Sequence, residues 1–105
     1  MADITVIILT KNEEKNIEKC IISAKKIAAR ILVVDSGSTD KTIEIAKSCG
    51  AEVFYHEWKG HAAQFNWALD CCGIMTPWVF RLDADERISE ALADEIKDKL
   101  SKNIS

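Results

Sequence analysis

The sequence has no excess of positive charge: 14 Lys and Arg stand against 17 Asp and Glu, a formal net charge of −3. That removes the electrostatic case for a nucleic-acid partner. No apolar run approaches the ~20 residues that a membrane-spanning helix needs. Met1-Ala2-Asp3 lacks the basic start and apolar core of a secretory signal, so a cytoplasmic location is expected. Cys20, Cys49, Cys71 and Cys72 show no Cys-x-x-Cys spacing and no nearby His cluster. A zinc site is therefore not expected, and free, mostly buried thiols are. His56 and His61 are not at metal-ligand spacing; both read as loop or surface residues, with a place in a ligand cleft as the lesser alternative for His61. Neither Gly-x-Gly-x-x-Gly nor Gly-x-x-x-x-Gly-Lys-Ser/Thr occurs, so any phosphate must be met by a metal or by basic side chains. Repeats, low-complexity tracts and linkers are absent too, and 105 residues make one domain. Such a domain buries roughly two-thirds of its unfolded surface.

What is present is alternation. Ile4 to Leu9 is short and β-branched, and reads as a buried strand. A helix is expected from Glu13 to Ala28, with Ile17, Cys20, Ile21, Ala24, Ile27 and Ala28 on one face. Ile31 to Val34 is a second strand, followed by the turn Asp35 to Asp40 and a short helix from Lys41 to Cys49 that turns Ile43 and Ala46 inward, capped by Thr39 or Asp40. Glu52 to Tyr55 makes a third, weaker strand. A helix from Gly60 to Cys72 would carry Ala62, Phe65, Leu69 and Cys72 as its apolar stripe. Trp78 to Leu82 is the fourth strand. Ser89 caps a last helix with Ile88, Leu92, Ile96 and Leu100 at four-residue steps, and Lys102 to Ser105 are expected to fray. This β-α-β-α-β-α-β-α order predicts an α/β fold: a mainly parallel sheet of about four strands, flanked by helices with right-handed crossovers.

The chemistry gathers where strands end. Leu82-Asp83-Ala84-Asp85-Glu86 sets two carboxylates two residues apart after an apolar strand, so both point to one face. Two hard oxygen donors suit Mg²⁺ or Mn²⁺, with substrate phosphates completing the shell. The other reading of the same residues is a solvated acidic turn. Thr10, Asn12 and Glu13 follow the first strand, and Asp35 to Asp40 the second, so all three loops should emerge at one edge of a parallel sheet. Each has a plainer rival: Asn12 as a helix cap, Asp35 and Asp40 as turn-shapers, Gln64 and Asn66 as an exposed helix face. Trp58, Trp67 and Trp78 read first as packing, with Trp58 the best placed to meet a sugar. Lys59 and Arg81 are alternatives as phosphate partners. Glu86 either supports the metal pair or favours the start of the next helix.

Taken together, four stretches resemble the nucleotide-binding part of family 2 glycosyltransferases, which have the GT-A fold. They are Thr5 to Glu13, Val33 to Asp40, the Gly…Gln-x-Asn-x-Ala-Leu segment from Trp58 to Leu69, and Leu82 to Glu86. The third is similar to lipopolysaccharide-core glucosyltransferase relatives. The resemblance implies a Rossmann-like GT-A nucleotide-diphospho-sugar transferase fold, present in part. It implies Thr10, Asn12 and Glu13 at the nucleobase and ribose, and Asp35 accepting from a uracil-type ring nitrogen. Gly60, Gln64 and Asn66 would border the nucleotide and diphosphate, Asp83 the ribose or sugar, and Asp85 with Asp83 the metal. A UDP-sugar is then the favoured donor. The acceptor would be a cell-envelope glycan or lipid, met in the cytoplasm or at the inner face of the membrane, in an inverting transfer helped by a carboxylate base.

Members of that family are usually longer, and their second half supplies the acceptor site and base. The chain is thus expected to be a truncated donor-binding domain, a short protein that needs a partner, or a non-catalytic nucleotide-sugar-binding or regulatory module. A nucleotidyltransferase would carry a glycine-rich basic loop where Thr10 to Glu13 stand. A receiver domain would carry a lone Asp where Tyr55-His56 stand. An uncovered strand at Trp78 to Leu82 invites pairing, so a homodimer is a further expectation.

Overall fold

A computed structural model describes residues 3–103, with side-chain surroundings described to residue 100. The elements alternate as expected: β1 (Ile4–Thr10), α1 (Ile17–Ala24), β2 (Arg30–Asp35), α2 (Thr42–Ser48), β3 (Glu52–Tyr55), α3 (His61–Cys71), β4 (Trp78–Asp83) and α4 (Glu90–Asn103). α4 thus takes in the start of the tail expected to fray, and the rest of that tail, 104–105, lies outside the described residues. All three strand pairings are parallel, in the order β3-β2-β1-β4.

β1 is interior to the sheet, and all seven of its residues are buried. Its alternation sorts the two layers. Val6 and Ile8 face a core shared with Ile17, Cys20, Ile21 and Ala24 of α1, Ala46 of α2, and Ala93 of α4. Ile7 and Leu9, with Leu32 and Val34 of β2, face Ala68 of α3 and the adjoining Cys72 on the other side. Burying a branched side chain in such a layer contributes about 1.5–3 kcal/mol. Helices on both faces explain the apolar runs Val6 to Leu9 in β1 and Ile31 to Val34 in β2. β4 is an edge strand, and its Arg81 is exposed.

Three expectations shift in detail. α1 begins at Ile17 rather than Glu13: Glu13 to Asn16 form a turn in which the Glu13 carbonyl accepts from the Asn16 and Ile17 amides while the first two amides bond outward. The Glu13 amide donates to Thr42 Oγ1 at 2.8 Å and the Glu14 amide to Asp40 Oδ2 at 3.2 Å. α3 is rotated: Gln64 and Ala68 are its buried residues, while Ala62 and Leu69 are exposed. In α4, Ala93 faces the core and Leu92 does not, a turn of about 100° for one residue. Ser89 caps α4 as expected, its Oγ accepting from the Leu92 amide at 3.1 Å.

The four cysteines are free: Cys20 and Cys72 are buried, Cys49 is half-buried and Cys71 is exposed. Burial pushes the Cys20 thiol up to about 12. Since the thiolate is the nucleophile, iodoacetamide at pH 8 should label Cys71 in the folded chain and leave Cys20 until the chain is denatured. Peptide mapping checks the order, and native labelling of Cys20 would contradict this packing.

Candidate functional site

β1 lies between β2 and β4, so the chain leaves the middle of the sheet in opposite directions on either side of it. Ligands of open α/β sheets bind outside the carboxyl ends of the strands at such a switch point. The register levels those ends, with Thr10 opposite Asp35 and Leu9 opposite Asp83. An open cleft of about 500 Å³ lies there. The end of β1 and its loop supply Leu9, Thr10, Lys11 and Glu13, and the β2 turn supplies Ser36. Asp83, Ala84 and Asp85 form the opposite lip, with Trp58 and His61 completing the wall.

The β2 turn is built on Asp35, which is fully enclosed. Its Oδ2 accepts from the amides of Gly37 at 2.8 Å and Ser38 at 2.7 Å. Its Oδ1 accepts from the hydroxyls of Thr10 at 2.7 Å and Ser38 at 2.5 Å. Burial pushes this carboxyl up, but the bonds from Ser38, Thr10 and Gly37 outweigh it and hold the group below its usual range. All four donors belong to the protein, so Asp35 shapes the turn rather than facing the cleft. Gly37 has φ 110°, a conformation that L side chains rarely adopt, and its carbonyl accepts from Lys11 Nζ at 2.8 Å.

The β1 loop is interlocked with this turn. Asn12 sits at φ 53°, its amide donating to Ser38 Oγ at 2.8 Å and its Oδ1 accepting from the Thr39 amide at 2.8 Å. Asp40 Oδ1 accepts from the Thr42 amide at 2.9 Å, one residue ahead of Lys41, which holds the N-cap position of α2 without a side-chain cap bond. Asn12 is therefore a clasp between loops and is not on the cleft lining.

At the end of β4, Ala84 is buried against the core, and Asp83 and Asp85 flank it on the cleft side. Asp83 is half-buried and Asp85 exposed. Glu86 closes the turn: its Oε1 accepts from the Asp83 amide at 2.8 Å, and its own amide donates to the Asp83 carbonyl at 2.9 Å. Among the described residues no three His, Cys, Asp or Glu side chains converge as a protein-only metal cage. A pair of carboxylates open to a cleft instead fits the Mg²⁺ mode, in which one or two carboxylates hold the ion and substrate phosphates complete its shell.

The β3–α3 loop departs most from the motif reading. Gln64 is only 1% exposed. Its Nε2 donates to the His56 carbonyl at 3.1 Å and its Oε1 pairs with His56 Nδ1. The His56 ring stacks on Trp67, centroids 4.6 Å apart at 22°. Gln64 therefore pins the loop and is turned away from the cleft. Gln64→Ala leaves the His56 groups without partners and should lower unfolding stability by about 1–3 kcal/mol, measurable by urea denaturation. Asn66 is exposed, and neither it nor Gly60 lines the cleft. Gly60 leads into α3 at φ 104°, directly before His61, whose ring meets Trp58 edge-on at 4.8 Å.

Of the residues singled out by motif, the structure brings Thr10, Glu13, Asp83 and Asp85 together on the cleft; Asn12, Asp35, Gly60, Gln64 and Asn66 lie off its lining. Lys11 and Ser36 line it without having been assigned a role. Strand alternation is the signal for both: where Thr10 and Asp35 turn inward, the next residues turn outward.

The sequence profile described as Glycosyl transferase family 2 matches residues 5–103. The chain belongs to glycosyltransferase family 2. An uncharacterized glycosyltransferase of Rickettsia typhi is 43% identical to this family 2 chain, over 92% of it and 32% of the relative. The lipopolysaccharide core biosynthesis glycosyltransferase LpsC of Rhizobium meliloti is 38% identical, over 93% of this chain and 37% of LpsC. Glucosyl-3-phosphoglycerate synthase from Mycobacterium tuberculosis, solved with Mn²⁺, UDP and glucosyl-3-phosphoglycerate, superposes with a TM-score of 0.64 at 26% identity, covering 79% of this chain and 33% of that one. Its UDP complex gives 0.68 at 25% identity, covering 87% and 36%. The fold is thus the GT-A fold in part. This family 2 chain spans about a third of the length of the curated relatives it matches.

Proposed function

We propose that this chain is the donor-binding part of an inverting glycosyltransferase that transfers a hexose from a nucleotide-diphospho-sugar to a cell-envelope glycan or lipid. The observation that carries the reading is the cleft at the switch point, with Asp83 and Asp85 on one lip and Thr10, Glu13 and Ser36 on the other. Mg²⁺ or Mn²⁺ is assigned to Asp85 with Asp83, and a UDP-sugar is the favoured donor. The Mn²⁺, UDP and UDP-glucose complexes of the mycobacterial synthase support the ligand class, and LpsC supports an envelope role. A divalent cation bound there supplies Lewis-acid stabilisation of charge on the leaving diphosphate.

The chain's own residues orient the donor. Ser36 offers its hydroxyl oxygen on the nucleoside side, and Thr10, whose own hydroxyl is donated to Asp35, lines the wall beside it. Asp83 lies across the cleft toward the ribose or sugar. His61 opens α3, whose first-turn amides favour an anion. Glu86 is committed to the Asp83 amide and is not assigned as the base. Pairing of β4 edges between copies has no support beyond the open edge and forms no part of this reading.

Calorimetry with UDP and with GDP, each with and without Mn²⁺, tests it. UDP should bind with Mn²⁺, more tightly than GDP, and weakly or not at all without the metal. A folded chain that binds neither nucleotide under any of these conditions would falsify the proposal.

A further inference from the structure

We propose that Arg87 and Asn16 are positioning residues that brace the Asp83–Asp85 turn against Glu13, so that the two acidic lips of the cleft keep one spacing. The inference rests on the donor-site reading above and adds residues that no motif assigns.

Arg87 follows the acidic turn and is exposed. Its Nη1 donates to the carbonyls of Ala84 at 3.0 Å and Glu86 at 2.8 Å, and its Nη2 to Asn16 Oδ1 at 3.3 Å. Asn16 passes the contact on, its Nδ2 donating to Glu13 Oε1 at 3.2 Å. Glu13 is fixed from the other side by its amide bond to Thr42 Oγ1. A continuous series of hydrogen bonds thus runs from the turn that carries Asp83 and Asp85 to the carboxylate of Glu13, between segments about 70 residues apart in the chain.

The residue types suit the task. A guanidinium is a planar fork that serves several acceptors at once, whereas a lysine ammonium is a single point charge. The Asn16 amide both accepts from Arg87 and donates to Glu13; an aspartate there keeps the first bond and loses the second. Neither side chain belongs to either hydrophobic core, so the bonds serve the placing of loops rather than the packing of helices. Glu13, Asp83 and Asp85 are like charges around one cleft, and the guanidinium holds their supports together against that repulsion.

A double-mutant cycle with Arg87→Ala, Asn16→Ala and the pair tests the brace in two ways. Without ligand, amide hydrogen exchange should rise at residues 83–88 in Asn16→Ala and at 13–17 in Arg87→Ala, with melting temperature nearly unchanged. With Mn²⁺ and UDP, each single variant should lose about 10-fold in affinity, and the double variant no more than either single, because one linkage is cut once or twice. Arg87→Lys should recover only part of the loss. Exchange changes confined to each variant's own loop, or affinity losses that multiply, overturn the brace whatever the chain binds. Cross-loop exchange in the variants, together with a folded wild type that binds no Mn²⁺–UDP, would instead overturn the donor-site reading and leave the brace standing.

Discussion

Asp85→Ala is expected to weaken Mn²⁺-dependent UDP binding by at least about 100-fold while leaving the fold intact. The size follows from the type of site. Supporting residues around a metal typically cost 10–100-fold when removed, and a direct ligand in a site with only two protein carboxylates should cost at least the upper end. The fold should survive because Asp85 is exposed and the turn is held by other groups: Ala84 in the core, Glu86 on the Asp83 amide, and Arg87 on the Ala84 carbonyl. Calorimetry gives the affinity, and thermal denaturation gives the control. Retained Mn²⁺-dependent binding in Asp85→Ala would remove the metal from this turn.

Asp35→Ala is expected to do the reverse, losing about 3 kcal/mol or more of stability. It would leave two part-buried backbone amides and two hydroxyls, one of them the buried Thr10 hydroxyl, without their shared acceptor, and an orphaned buried group costs about 1–3 kcal/mol. Asp35→Asn should be milder, since the amide oxygen can take the Gly37 and Ser38 amides while the reoriented hydroxyls of Thr10 and Ser38 accept from its nitrogen. The sign of the pH dependence follows from the lowered folded-state pKa. The charged carboxylate stabilises the fold above the unfolded value of about 4, and that contribution fades as pH falls through the lower folded value. Between pH 5 and pH 3 the wild type should therefore lose more stability than Asp35→Asn. Were Asp35 instead to read a uracil edge, Asp35→Asn would abolish UDP binding at unchanged stability; denaturation and calorimetry on one preparation separate the two.

The fold was legible because its signals are local and repeated. Four short apolar strands separated by helical stripes leave little but a parallel α/β sheet, and the carboxyl ends then place Thr10, Glu13, Asp83 and Asp85 together. What stayed hidden depends on tertiary bonds. Nothing in the run Asp35-Ser36-Gly37-Ser38 says that all four donors around Asp35 come from the protein, one of them from Thr10, which lies 25 residues earlier in the chain. Gln64 occupies a motif position and a polar side chain, both pointing to the ligand, yet a contact with His56 eight residues earlier turns it inward. Helical periodicity missed this for the same reason, since it counts Gln64 as polar and assigns the buried face to Ala62 and Leu69. The late start of α1 likewise goes with amides taken up by Asp40 and Thr42, partners that lie beyond its own stretch of sequence.

The most direct test of the donor cleft is where a paramagnetic ion sits. NMR spectra of the chain with UDP and substoichiometric Mn²⁺ should show broadening of the amides at 83–86, 10–13, 36 and 61. Residues 25–29, at the other end of the sheet, should stay sharp. Broadening centred instead on the exposed acidic side chains Glu90, Asp94 and Glu95 of α4, or no localised broadening at all, would contradict a metal-dependent nucleotide site at the Asp83–Asp85 turn.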